Sequence, residues 1–201
     1  DDFANLMNVY AEKINMENTN FLNSSGWPDE NHFSTVKDLA ILSHALIQDF
    51  PDLYSYFKEK KFIYNKIRQP NRNKLLHNFE GTDGLKTGYT KDSGWGIAGS
   101  AIRNNRRITV VISGTNSSRS RLNESANLLN WAFTQTTQKK LVSKNQIIKN
   151  VDVWLGNKPT VNLIVQKDVI STLSFDQIKS IKSIFFKVIT IFPQFFLRHP
   201  Q

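Results

Sequence analysis

Phe3, Leu6, Met7, Tyr10 and Ile14 recur at three- and four-residue spacing, which predicts an amphipathic helix over 2–14. A polar stretch follows, "NTNFLNSSGWPDENHFS", with turns expected at Gly26 and Pro28. In "STVKDLAILSHALIQDF" the period is again helical: Thr35 caps, Asp38 follows three residues on, and Val36, Leu39, Leu42, Leu46 and Ile47 are expected to face inward. Residues 61–76 mix aromatic and basic side chains around Pro70, which suggests a short strand and then a loop. Two apolar runs, "GWGIAGSAIR" and "RITVVISGT", flank Asn104-Asn105 and predict an antiparallel hairpin of two central strands. A third helix is expected over about 118–135, carrying Leu122, Leu128, Leu129, Trp131 and Phe133. From Leu141 the texture changes to short alternating strands around a Gly-Asn-Lys-Pro turn. The pattern is α+β, with a domain over 1–140 and the start of a β-rich module over 141–201.

Composition narrows the chemistry. With 39% apolar and 11% aromatic residues the chain can fill a core. Its net charge of +9 favours anionic surroundings such as nucleic acid, anionic lipid or a carboxylate-bearing substrate, without choosing among them. The charge divides as +4 over 1–140 (18 cations, 14 acids) and +5 over 141–201 (8 cations, 3 acids). Cysteine is absent, which excludes disulfides, thiolate metal sites and cysteine nucleophiles and suits an extracytoplasmic bacterial protein. His32, His44, His77 and His199 show no ligand spacing, and neither a phosphate-cradling glycine loop nor GxSxG occurs, so no metal or cofactor is expected. No leader pattern opens the chain, and no apolar run is long enough for a standard membrane-spanning helix.

"TDGLKTGYT", residues 82–90, carries the most pointed chemistry. On a strand, Lys86 and Gly88 would share one face and Thr87 the other. A lysine beside a glycine lets a ligand lie against backbone while the cation holds a carboxylate. The competing reading is an edge-strand lysine that discourages aggregation.

Lys-Thr-Gly is also one of three active-site elements of serine β-lactamases and penicillin-binding proteins, beside SxxK and SxN. The chain resembles the D-alanyl-D-alanine carboxypeptidases, the low-molecular-mass penicillin-binding proteins, over most of its length. The matching segments are, in order, "FANLMNVYAEKINMENTNFLNSSG", "STVKDLAILSHALI", "YSYFKEKKFIYNKIRQPNRNKLL", "TDGLKTGYT" and "WLGNKPTVNLIVQKDV". The resemblance implies the later part of a serine β-lactamase-like domain, then part of a β-rich second domain. It implies a serine that attacks the bond between two terminal D-alanines of a peptidoglycan pentapeptide, and that β-lactams acylate in the intact enzyme. By the same resemblance Lys86 would bind the terminal carboxylate, Thr87 and Gly88 would orient it on the strand, and Arg121 would add a cation. The alternative for Arg121 is a solvated residue in the first turn of a helix.

The segments that should carry SxxK and SxN fall upstream of Asp1 in this comparison, so the nucleophile and its base are not expected here. The chain alone is expected to be inactive, or to work with a separately encoded N-terminal half. Without that half, one sheet edge would be uncovered. Literal strings at Ser34-Thr35-Val36-Lys37, Ser55-Tyr56-Phe57-Lys58 and Ser143-Lys144-Asn145 read as a helix entrance, a loop end and a turn. Lys37 stands where some relatives carry arginine, and Tyr89 where some carry histidine. The family implies a periplasmic site, peripheral on the inner membrane. Ile178, Ile181, Phe185, Val188 and Phe192, with lysines between, would suit a basic amphipathic contact over 178–198, or else a degenerate end or packed core. A non-catalytic binder of D-Ala-D-Ala termini or of a partner chain is the second reading. Nucleic-acid binding, suggested by "KEKKFIYNKIRQPNRNK", is set aside because charge runs are usually solvated faces.

Overall fold

The computed structural model describes residues 2–154 and 156–180. The chain divides into two compact units, 1–132 and 133–201.

The first unit opens with α1 (Asp2–Lys13). Its expected apolar stripe faces the wrong way: Phe3, Leu6 and Tyr10 are exposed, while Ala4 and Ala11 are buried. Asn8 lies between the two buried alanines, where its carboxamide donates to the Phe21 carbonyl at 2.8 Å and accepts from the Phe21 N–H at 2.7 Å.

α2 (Val36–Asp49) begins at Thr35, whose hydroxyl accepts from the Asp38 N–H at 3.1 Å. Asp38 is buried and its carboxylate accepts from Asn18 N–H at 2.8 Å and Thr19 Oγ1 at 2.7 Å, fixing the 18–34 loop to the helix. These bonds, the Thr19 hydroxyl foremost, hold the Asp38 carboxyl below its ordinary range. Ile47 lies in the core as expected, but Val36 is exposed.

After α3 (Pro51–Tyr54) and a 3-10 turn at Ser55–Lys58, strands β1 (Lys61–Tyr64) and β2 (Ile67–Pro70) form a separate antiparallel hairpin. A loop was expected around Pro70. The residue instead ends a strand whose outer side pairs with no other among the described residues, an edge position that tolerates its missing N–H. The short helix α4 (Leu75–Asn78) leads into a three-stranded antiparallel sheet of β3 (Thr82–Thr90), β4 (Gly94–Arg103) and β5 (Arg106–Thr115), in that order. The β4–β5 turn is Asn104-Asn105, both at positive φ (48° and 59°), the conformation a two-residue hairpin turn needs. β4 is central, but among the described residues β5 pairs on one side only, so the second strand of the expected hairpin ends the sheet. The core joins Ile47, Tyr54 and Leu85, with Leu46, Phe57 and Ala98 packed against them.

α5 (Ser118–Gln135) presents Arg121, Ser125 and Leu129, spaced four apart, to the interior. Of the apolar residues expected on this helix, Leu129 is buried while Trp131 and Leu128 are exposed. In the second unit β6 (Thr136–Val142) pairs with β9 (Val169–Ser174), and β7 (Ile147–Asp152) with β8 (Thr160–Ile164). Among the described residues no helix is long and apolar enough to cross a membrane. Of the expected basic contact over 178–198, residues 181–198 lie outside the described ones.

Candidate functional site

The site is built on β3, and its position starts with how that strand is anchored. At its beginning Asp83 accepts both Arg107 guanidinium nitrogens, each at 2.7 Å, in a bidentate pair that bridges to β5. The Tyr54 hydroxyl donates to the same carboxylate at 2.8 Å, and Arg107 also donates to Ser100 Oγ at 2.8 Å. Asn73, buried, donates its amide to the Gly84 carbonyl at 3.0 Å. Burial pushes the Tyr54 phenol up to about 12, while the Asp83 carboxylate holds Arg107 still more firmly protonated.

Beyond Leu85 the strand opens. Lys86 and Gly88 are exposed while Thr87 between them is buried, the alternation the sequence predicts. The Lys86 ammonium lies 2.6 Å from the Thr87 carbonyl oxygen, to which it donates. Gly88 sits opposite Gly96, and Tyr89 opposite Trp95. A side-chain carbon placed on Gly88 would meet nothing within 4 Å, and no left-handed backbone requires a glycine there. Among the described residues β3 ends the sheet, so its outer N–H and C=O groups pair with no other strand.

Arg121 joins this end of the strand. Its Nη1 donates long hydrogen bonds to the Gly88 and Gly96 carbonyls, at 3.3 and 3.4 Å, and its Nη2 one to Ser118 Oγ at 3.4 Å. The guanidinium lies over the Trp95 ring, 5.3 Å from the centroid. The residue is 5% exposed, against the solvated alternative, and no carboxylate pairs with it among the described residues. Burial lowers its pKa without displacing it from the protonated form. The fold therefore brings Arg121 to Gly88, on the strand that carries Lys86 and Thr87, and among the described residues no carboxylate compensates its charge. An exposed ammonium on β3 and a buried guanidinium bonded to the same strand make an anion the chemical complement of this surface.

Of the three literal serine strings, Ser34 Oγ lies 2.8 Å from Thr19 Oγ1 at a helix entrance, and Ser55 Oγ donates to the Asp52 carbonyl at 2.7 Å. Ser143-Lys144-Asn145 forms a turn between β6 and β7, with Asn145 at φ 64°. Trp95 was not identified from sequence. The signal was in the hairpin: carrying the pairing from Asn104-Asn105 back through β4 and onto β3 places Gly96 opposite Gly88 and Trp95 opposite Tyr89.

Comparison with known proteins gives these residues their context. The family model described as D-alanyl-D-alanine carboxypeptidase matches residues 1–117, and that described as penicillin-binding protein 5, C-terminal domain, matches 137–187. The D-alanyl-D-alanine carboxypeptidase DacC of Escherichia coli K12 is 38% identical over 184 residues, 91% of this chain and 46% of that relative. DacA of the same organism is 36% identical over 186 residues, covering 91% of this chain and 46% of DacA. Among solved structures, penicillin-binding protein 5 from Haemophilus influenzae superposes with a TM-score of 0.77 at 34% identity, over 87% of this chain and 52% of that one. Penicillin-binding protein D2 from Listeria monocytogenes, in its cefotaxime-bound form, gives 0.62 at 30% identity over 66% and 56%. The chain spans about half the length of the curated relatives it matches. An α+β unit of the serine β-lactamase type, followed by a β-rich module, is the fold these neighbours share with it. On the match that covers more than half its length, the chain belongs to the D-alanyl-D-alanine carboxypeptidase family.

Proposed function

We propose that the chain supplies the carboxylate-holding wall of a serine-type D-Ala-D-Ala carboxypeptidase that trims peptidoglycan pentapeptides on the extracytoplasmic side of a bacterial cell. The observation that carries this reading is Arg121, buried without a carboxylate partner among the described residues and donating to the carbonyl of Gly88, on whose strand Lys86 stands exposed. In the reaction a serine attacks the carbonyl of the penultimate D-Ala, the terminal D-Ala leaves with the proton from the serine, and water then cleaves the acyl-enzyme. Lys86 and Arg121 hold the terminal carboxylate while the free edge of β3 pairs with the peptide backbone. A β-lactam carboxylate would occupy the same place. Serine and base belong to a segment other than these 201 residues, so this chain binds and does not turn over alone. Residues 178–198 would set it against the anionic membrane surface.

Titration of the 201-residue chain with a D-Ala-D-Ala-terminated peptide, followed by calorimetry, tests the grip. Lys86→Ala and Arg121→Met are each expected to weaken binding about tenfold. Fluorescent penicillin should leave the chain unlabelled, and should label an added polypeptide bearing SxxK once the two associate. Affinity unchanged in Lys86→Ala, or label on Ser34 or Ser55, overturns the assignment.

A further inference from the structure

We propose that the β1–β2 hairpin is a second binding surface, for the glycan strand of peptidoglycan with its carboxylate-bearing stems, separate from the grip on the peptide terminus. The inference rests on the reading above in one respect, that the polymer concerned is peptidoglycan.

Among the described residues the hairpin pairs with no further strand. All eight of its strand residues are exposed, including Phe62, Ile63, Tyr64 and Ile67 at 59–68%. The register puts Phe62, Tyr64, Ile67 and Gln69 on one face and Lys61, Ile63, Arg68 and Pro70 on the other. An isolated two-stranded ribbon is marginal in water, and this one leaves aromatic surface outside that would be expected inside. It is nevertheless held in place. Asn71 donates its amide to the Glu59 carbonyl at 2.9 Å and its backbone N–H to the Lys60 carbonyl at 2.9 Å, closing the base of the ribbon. Two residues on, Asn73 is bonded to Gly84 of β3, so the hairpin is fixed to the strand that carries Lys86.

Charge says what the occupant must be. Between Lys58 and Lys74 stand five lysines and two arginines against the single acid Glu59, and none of these forms an ion pair among the described residues. The partner is an anion with apolar faces. A membrane would call for an apolar tip, but the turn is Asn65-Lys66, and the aromatics lie on the flat of the ribbon. A nucleobase between the two rings would need about 7 Å. Phe62 and Tyr64 are nearly parallel (7°) with centroids 6.2 Å apart, too close to admit one. A pyranose strand fits instead: its C–H faces lie on aromatic surface, and the carboxylates of its stem peptides meet the flanking cations.

Co-sedimentation of the 201-residue chain with insoluble sacculi tests this, using sacculi whose stems have been shortened to tripeptides so that no D-Ala-D-Ala terminus remains for the β3 site to align. Wild type and Lys86→Ala are expected to bind such sacculi alike, and binding should fall with added salt. The double variant F62S/Y64S, and separately K61Q/R68Q, should each weaken it at least fivefold. These positions are exposed, so unchanged urea midpoints show that the variants fold. Should F62S/Y64S itself unfold, K61Q/R68Q decides alone. Loss of D-Ala-D-Ala affinity without loss of trimmed-sacculus binding, or the converse, separates failure of one site from failure of the other. The inference is overturned if hairpin variants bind as wild type, or if phosphatidylglycerol vesicles or single-stranded DNA compete with the sacculi for the hairpin.

Discussion

Gly84 and Gly88 lie four positions apart on one strand, yet a methyl group added to the first would collide with the Tyr54 hydroxyl, while one added to the second would meet nothing within 4 Å. The two arginines near these glycines differ in the same way. Arg107 has its carboxylate, Asp83, in a bidentate pair, whereas Arg121 is buried among carbonyls, a hydroxyl and an indole. One end of β3 is therefore a lock of paired charge and hydrogen bonds, and at the other a buried cation lies without a carboxylate, among the described residues, beside open space. Satisfied polar groups stabilise a fold and unsatisfied ones are costly to keep, so an unspent charge beside an unfilled space points to a ligand. A lone Lys-Thr-Gly cannot make that distinction. Its surroundings can.

The comparison breaks most visibly at the lock. Arg107→Ala leaves Asp83 without its cation in a partly buried place and is expected to cost about 3 kcal/mol, read from urea unfolding. A loss below about 1 kcal/mol would mean that the pair is solvated and holds nothing. Alkaline titration probes the same cluster. The folded-state pKa of Tyr54 stands near 12, above the ordinary 10.0, because burial disfavours the phenolate. Its contribution is complete below pH 10 and is lost as pH rises through the window from 10 toward 12, where folding must keep the phenol neutral. At the top of that window the difference amounts to roughly 2–3 kcal/mol. Tyr54→Phe should flatten this part of the alkaline limb, and an unchanged limb would show that another group governs it. Gly84→Ala follows, at about 2 kcal/mol, because the added carbon must displace the Tyr54 ring or bend the strand.

What the sequence disclosed and what it hid separate along the same line. Local signals were readable: the Thr35 cap, the Asn104-Asn105 turn with its two strands, and the alternation of Lys86, Thr87 and Gly88 all depend on residues close in the chain. Features that depend on distant partners were not. Asp83 and Arg107 are 24 residues apart and neither looks unusual alone. Helix α1 ties Asn8 to the backbone of Phe21, 13 residues away, on the side where Ala4 and Ala11 are buried, a contact no helical period contains. In α5 the apolar residues named from sequence include Leu129, which is buried, and Leu128 and Trp131, which are exposed, while the rest of the buried line is Arg121 and Ser125. A buried arginine breaks the hydrophobic pattern by which an inner face is recognised, and here that break marks the site.

The smallest expected effect on stability is the sharpest test of the opening. Gly88→Ala adds a methyl group at a position with free space and an ordinary backbone, so stability should change by no more than about 0.5 kcal/mol. Had the glycine been needed for packing, as Gly84 is, the urea midpoint would fall with it. The proposed role is to let a peptide backbone approach β3 beside Lys86, and there the same methyl group projects into the ligand's path. Affinity for a D-Ala-D-Ala peptide should then drop about tenfold in a protein as stable as its parent. Loss of stability with affinity preserved would reverse the assignment of the two glycines, because the space beside Gly88 would then matter to the fold and not to what the fold holds.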